Sequence, residues 1–102
     1  MFGTTADINE KAREAQSDPS ITLIDVRSAD EYAEGHIPGA VNVPILGIGD
    51  IEEIVPNKDA RIYVSCQSGK RSERAIKVMR GLGYTNLENV GGIAGWNGPV
   101  ER

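Results

Sequence analysis

The sequence has one cysteine and one histidine in 102 residues. A single cysteine excludes an internal disulfide, a C-x-x-C redox pair and a cysteine-rich zinc site. No apolar run approaches the roughly 20 residues that cross a bilayer, so no membrane partner is expected. Residues Met1 to Thr5 carry no basic cluster and no long apolar stretch, unlike a secretory signal. Positive charge is not in excess: Lys and Arg number 11 against 15 Asp and Glu, for a formal net charge of −4. That balance argues against a general nucleic-acid binder. Repeats, low-complexity tracts and long linkers are also missing. The length suits one core that needs no metal or disulfide and is too short for two ordinary domains, so residues 1–102 are read as one domain. A lone thiol with no framework role suits a reducing compartment, and the cytoplasm is expected.

The pattern along the chain alternates strands and helices. Thr5 to Gln16 reads as a helix with Ile8, Ala12 and Ala15 on one face, capped by Thr4 or Thr5 and ended by Asp18-Pro19. Ile21 to Val26 is an almost unbroken apolar run, as in a strand buried on both faces. Ser28 and Glu31 form a capping-box pattern that opens a short helix closed by Gly35. Val41 to Val43 reads as a short strand stopped by Pro44, and Gly49 to Ile54 as a brief helix. Arg61 to Ser65 is a second apolar strand, followed by a loop from Cys66 to Arg71. The next helix places Ala75, Ile76, Met79 and Leu82 on one face, with Gly83 at its C-terminal end. Leu87 to Val90 is a last strand, broken by Gly91-Gly92. Such alternation predicts an α/β fold with a parallel sheet covered on both faces. Ligands in such sheets sit beyond the carboxyl ends of the strands, where Cys66 lies.

A thiol is a poor nucleophile until it loses its proton. Several features of Cys66-Gln67-Ser68-Gly69-Lys70-Arg71-Ser72 favour the thiolate. The loop runs into a helix N-terminus, whose free N–H groups and dipole attract negative charge. Lys70 and Arg71 add positive charge. Gly69 lets successive N–H groups turn inward as an anion nest, and Ser68 and Ser72 can add hydroxyl donors. Free cysteines are ordinarily small buried hydrophobes, but such a residue needs no cationic nest. Lys70 and Arg71 could also be a solvated helix start. Positive charge is unfavourable there, however, which points to a compensating anion.

Four motifs in order resemble the rhodanese family over most of the chain. They are Leu23-Ile24-Asp25-Val26-Arg27; Glu31-Tyr32 with Gly35-His36-Ile37-Pro38-Gly39-Ala40; Cys66 to Ser72; and Gly91-Gly92-Ile93-Ala94-Gly95-Trp96. The resemblance implies a five-stranded, mainly parallel sheet flanked by helices on both faces. It implies a cysteine persulfide on Cys66, formed from an anionic sulfur donor such as thiosulfate with loss of sulfite. Cyanide, a thiol or an acceptor protein would then take the sulfur. Neither metal nor cofactor is called for. By position, Cys66 is the nucleophile. The N–H groups from Gln67 to Arg71 would hold the persulfide and the donor's oxyanion, and Lys70 and Arg71 would attract the donor. His36 invites a general-base reading, but it lies in a turn before Pro38 and the family does not use it so; a hydrogen-bonding structural role is expected. Asp25 and Arg27 are expected to form a stabilising polar network. Trp96 is expected to pack at the rim of the site, with Gly91 and Gly92 allowing close backbone approach.

A cysteine phosphatase or arsenate reductase is a competing reading. Its loop sets five residues between cysteine and arginine, whereas four, Gln67 to Lys70, intervene here. A phosphate needs the wider ring. A persulfide relay serving a partner protein would use the same Cys66 and is not separable by sequence. An inactive interaction domain would be expected to lack the cysteine.

Overall fold

Side-chain alternation along the central strand decides where the cysteine points. In β3 (Arg61–Cys66), Ile62, Val64 and Cys66 face one core cluster while Tyr63 faces the other. The computed structural model describes residues 7–102. β1 (Ile21–Asp25), β2 (Val41–Asn42) and β4 (Leu87–Gly92) join β3 in a sheet of order β2-β1-β3-β4. Every pairing is parallel. Four strands form this sheet among the described residues, rather than the five expected. The C-terminal segment adds a single antiparallel bridge between Glu101 and His36. Pro99, just before it, has no N–H with which to extend a ladder.

Helices cover both faces. On one side lie α3 (Ile51–Ile54) and α4 (Lys70–Gly81), packed on Ile24, Val26, Ile62 and Val64. On the other lies α1 (Ile8–Ser17), whose Ile8 and Ala12 pack with Leu23, Tyr63 and Val90. Burying each Val, Leu or Ile side chain among these stabilises the fold by about 1.5–3 kcal/mol. Thr4 and Thr5, expected to cap the first helix, lie outside the described residues. The helix begins instead at Ile8, where the Asp7 carboxylate accepts the Asn9 N–H at 2.9 Å. α2 (Ala29–Glu34) has the expected capping box between Ser28 and Glu31.

Three local readings change. The brief helix before Val55 is longer, a 3-10 segment at Ile45–Asp50 that runs into α3. Cys66 is the last residue of β3, not the first of a loop. The Gly91-Gly92 pair does not end β4. It bulges it: the register passes from Val64 opposite Asn89 to Ser65 opposite Gly91, with Gly91 at φ 94°. A residue at positive φ lets the strand take up one extra residue and resume pairing. α4 ends as expected at Gly83, at φ 103°, with the Gly83 and Tyr84 N–H groups returning to Arg80 and Met79 carbonyls.

Candidate active site

Only Gln67, Ser68 and Gly69 separate the end of β3 from the start of α4. So short a connection must curl, and Gly69 makes the curl possible by adopting φ 101° at the head of α4. The Gly69 N–H then points back and donates to Cys66 Sγ at 2.9 Å. Cys66 is 1 % exposed. Burial pushes the thiol's pKa up, but the Ser72 hydroxyl and the N–H groups of Ser72, Gly69 and Ser68 outweigh it, and the net direction is down. Ser72 Oγ is buried and makes no well-formed hydrogen bond of its own; its influence is on the sulfur it faces. Of the donors expected from Gln67 to Arg71, the Gly69 N–H alone makes a hydrogen bond to Sγ among the described residues, and Ser72, one residue past Arg71, also acts on the sulfur.

Ser72→Ala is expected to raise the pH midpoint of iodoacetamide labelling at Cys66 and slow the reaction at neutral pH. Labelling followed across pH in both proteins checks this. An unchanged midpoint would remove Ser72 from the electrostatic account.

The two cations of the loop differ. Lys70 is exposed in the first turn of α4 and pairs with no carboxylate among the described residues. Arg71 is half-buried and forks onto Glu31, with Nη1–Oε1 2.7 Å and Nη2–Oε2 3.0 Å. Glu31 first of all, and a thiolate at Cys66 to a lesser degree, hold the proton on Arg71. The same Glu31 carboxylate caps α2 through the Ser28 N–H, so Arg71 ties the head of α4 to the head of α2. This partner, 40 residues away in sequence, was not read from the sequence. Arg71 first, then the Ser28 N–H, hold the Glu31 carboxyl at about 2. A carboxyl with a depressed folded pKa stabilises the fold above its ordinary pKa and loses that stabilisation as pH falls through the folded value. Between about pH 4.5 and about 2, the wild type is therefore expected to lose thermal stability more steeply than Glu31→Gln. Melting curves across that range check it, and parallel declines would contradict it.

The closing glycine segment supports the loop from behind. A Cβ on Gly92 would overlap the Gln67 carbonyl and lie 2.6 Å from Ser68 N. The Ala94 N–H donates to Gln67 O at 3.1 Å. Asn89, another residue not singled out from sequence, donates from Nδ2 to Gly69 O at 2.9 Å and accepts the Gly91 N–H at 3.0 Å. It locks loop and bulge together. The one available signal was an amide side chain just before the Gly-Gly pair.

The remaining motif residues make their contacts within the fold rather than with the sulfur. Asp25 and Arg27, both buried, form a forked ion pair, and Arg27 also donates to Gly35 O at 2.7 Å. His36 stacks on Tyr32 with ring centroids 3.7 Å apart and hydrogen-bonds Tyr32 O at 2.9 Å through Nδ1. Trp96 packs against the second core cluster and donates to Pro99 O at 2.8 Å. Two open cavities flank the loop. One, of about 290 Å³, is lined by Gln67, Ser68, Gly91, Gly92 and Ala94 among others. The other, of about 280 Å³, is lined by Arg71, Ser28, Val26, Pro44, Ile45 and Leu46. A third, of about 230 Å³ beside Gln16 and Thr22, has no charged side chain in its lining. Among the described residues, no group of three or more His, Cys, Asp or Glu side chains could hold a metal ion.

Residues 9–99 match the family model described as "Rhodanese-like domain". The putative sulfur carrier protein YrkF of Bacillus subtilis is 37 % identical over 92 residues, covering 87 % of this chain and 48 % of that protein. The chain thus spans about half the length of that relative. The thiosulfate sulfurtransferase PspE of Escherichia coli is 37 % identical over 71 residues, covering 69 % of this chain and 68 % of PspE. Among solved structures, a rhodanese with anions from E. coli superposes with a TM-score of 0.74 at 32 % identity, covering 80 % of this chain and 98 % of that one.

Proposed function

The chain belongs to the rhodanese-like domain family, and from that premise we propose that it transfers sulfane sulfur through a persulfide on Cys66. The observation that carries this reading is the tight turn at Gly69, which aims its N–H at the buried Cys66 Sγ, 2.9 Å away, at the head of α4; Ser72 and Ser68 beside it add to the downward pull on the thiol's pKa. Such donors are fixed before reaction and cost no reorganisation when negative charge arrives. In the donor half-reaction the Cys66 thiolate attacks the outer sulfur of thiosulfate. A bond forms between the two sulfurs, the bond to the sulfonate sulfur breaks, and sulfite leaves with its electron pair. The new outer sulfur carries the negative charge and needs donors of its own. Ser72 Oγ, buried and otherwise unpartnered, is one the loop can offer. In the acceptor half-reaction cyanide or a thiolate attacks the outer sulfur, and Cys66 departs as the thiolate. Lys70 gives the donor an exposed cation at the mouth, whereas Arg71 acts chiefly by holding the loop to α2. The name of PspE, a thiosulfate sulfurtransferase, supports thiosulfate as the donor to test first. Four residues between Cys66 and Arg71 make a ring suited to one added sulfur rather than a phosphate.

Because donor and acceptor use the protein in turn, steady-state kinetics with thiosulfate and cyanide are expected to be ping-pong, with parallel double-reciprocal lines. Intersecting lines would reject the shared intermediate. Turnover of p-nitrophenyl phosphate that Cys66→Ser abolishes would show that the residue does phosphatase chemistry instead.

A further inference from the structure

The helix that begins at the reactive loop carries a charge the rest of the molecule does not share. α4 holds five cations, Lys70, Arg71, Arg74, Lys77 and Arg80, against one carboxylate, Glu73. The chain as a whole has a formal net charge of −4. Ser72, Ala75, Ile76 and Met79 form the buried face of α4. Lys70, Arg74 and Lys77, at i, i+4 and i+7, therefore lie on the opposite, exposed face, with Arg80 beside them. Among the described residues none of these four forms an ion pair, and Glu73 is not paired with Lys77 although the spacing allows it. Arg80, in the last turn, complements the helix dipole, but Lys70 and Arg74 are like charges at i and i+4, which weaken a helix, so helix stability does not account for the stripe as a whole. Capture of a small anion does not account for it either. At about 1.5 Å per residue the stripe extends some 15 Å from Lys70 to Arg80, while salt screens exposed charges beyond about 8 Å at physiological ionic strength. Lys77 and Arg80 lie too far along the helix to act on an ion bound at Cys66.

We propose that the outer face of α4 is a docking surface for an acidic polypeptide that presents an acceptor thiol to the Cys66 loop. The proposal rests on the sulfurtransferase reading and names the acceptor class for the same site. A segment lying along Lys70, Arg74 and Lys77 places its carboxylates on the stripe and its thiol at the head of the helix, where the loop opens. The acceptor thiolate attacks the outer sulfur of the Cys66 persulfide. A new sulfur–sulfur bond forms to the acceptor, the bond to Sγ breaks, and its electron pair returns to Cys66 as the thiolate. The acceptor leaves as a persulfide, and no outside oxidant or reductant is used.

The test uses the protein loaded with thiosulfate and freed of excess donor. Two synthetic peptides of equal length, each ending in cysteine, serve as acceptors: one carries alternating glutamate and glycine before the cysteine, the other glutamine and glycine. The acidic peptide is expected to discharge the persulfide about tenfold faster at low salt, in the lower range of electrostatic steering, with the advantage shrinking as salt is added. In the double variant Arg74→Gln, Lys77→Gln the advantage should vanish, while discharge by cyanide and by the glutamine peptide stays unchanged. An acidic advantage that persists in the double variant, or is missing in the wild type, would overturn the proposal. Failure of thiosulfate to load Cys66 at all would instead reject the sulfurtransferase reading, before any acceptor is added.

Discussion

Gly92→Ala is expected to lower sulfur transfer on the order of a hundredfold while leaving a folded protein. The added Cβ would overlap the Gln67 carbonyl group and crowd Ser68 N at 2.6 Å. These are backbone atoms and cannot swing aside like a side chain. The loop must shift as a unit, by something near 1 Å, and the N–H groups of Ser68 and Gly69 shift with it. A displacement of about 1 Å at a reacting centre can cost on the order of a hundredfold in rate. The crowding also costs about 1–3 kcal/mol of stability, or about 4–8 °C in melting temperature per kcal/mol for a chain of this size. Gly81→Ala is the control: nothing lies within 4 Å of a Cβ there, and Gly81 is the last residue of α4. That change should be neutral or slightly stabilising, since alanine suits a helix better than glycine. Steady-state kinetics with thermal melting separate the outcomes. Wild-type kinetics in Gly92→Ala would mean that close contact between β4 and the loop does not set the donor positions.

Cys66→Ser is expected to abolish transfer, by on the order of 10⁴-fold or more, as is usual when a covalent nucleophile is removed. The hydroxyl keeps its proton at neutral pH and does not form the sulfur–sulfur bond that the reaction requires. Its fold should survive. Serine is close to cysteine in size, and its oxygen can accept the Gly69 N–H that now donates to Sγ. Cys66→Ala is the harsher change for stability, because it leaves the loop donors and the buried Ser72 hydroxyl facing an acceptor that is gone. Thiosulfate-to-cyanide transfer measured beside melting temperatures distinguishes them. Substantial transfer in a well-folded Cys66→Ser protein would contradict the role given to the sulfur.

Much of this architecture was legible because it is written in local pattern. The apolar run from Ile21, the Ser28–Glu31 capping box, the buried face of α4 and the Gly83 end each depend on neighbours within a few residues. The placement of Cys66 at the carboxyl end of an apolar strand followed from the same alternation, though not its place within the strand itself. What the sequence did not disclose depends on contacts between distant segments. Nothing in local spacing says that Arg71 meets Glu31 or that Asn89 braces Gly69. Gly91-Gly92 reads as a strand end, since glycine weakens strands; only the neighbouring β3 shows that it is a bulge with pairing on both sides. Ser72 is legible as a hydroxyl donor; that its N–H also lowers the thiol's pKa is not, because that depends on how tightly Gly69 turns the chain.

If sulfur moves through this protein as proposed, Cys66 holds one transferable sulfur atom. The most direct measurement is the intact mass of the purified protein before thiosulfate, after it, and after subsequent cyanide. A gain of one sulfur atom with thiosulfate is expected, located on the peptide containing Cys66 and removed by cyanide. A mass that thiosulfate leaves unchanged in the reduced protein, or an added sulfur that cyanide does not remove, would contradict it.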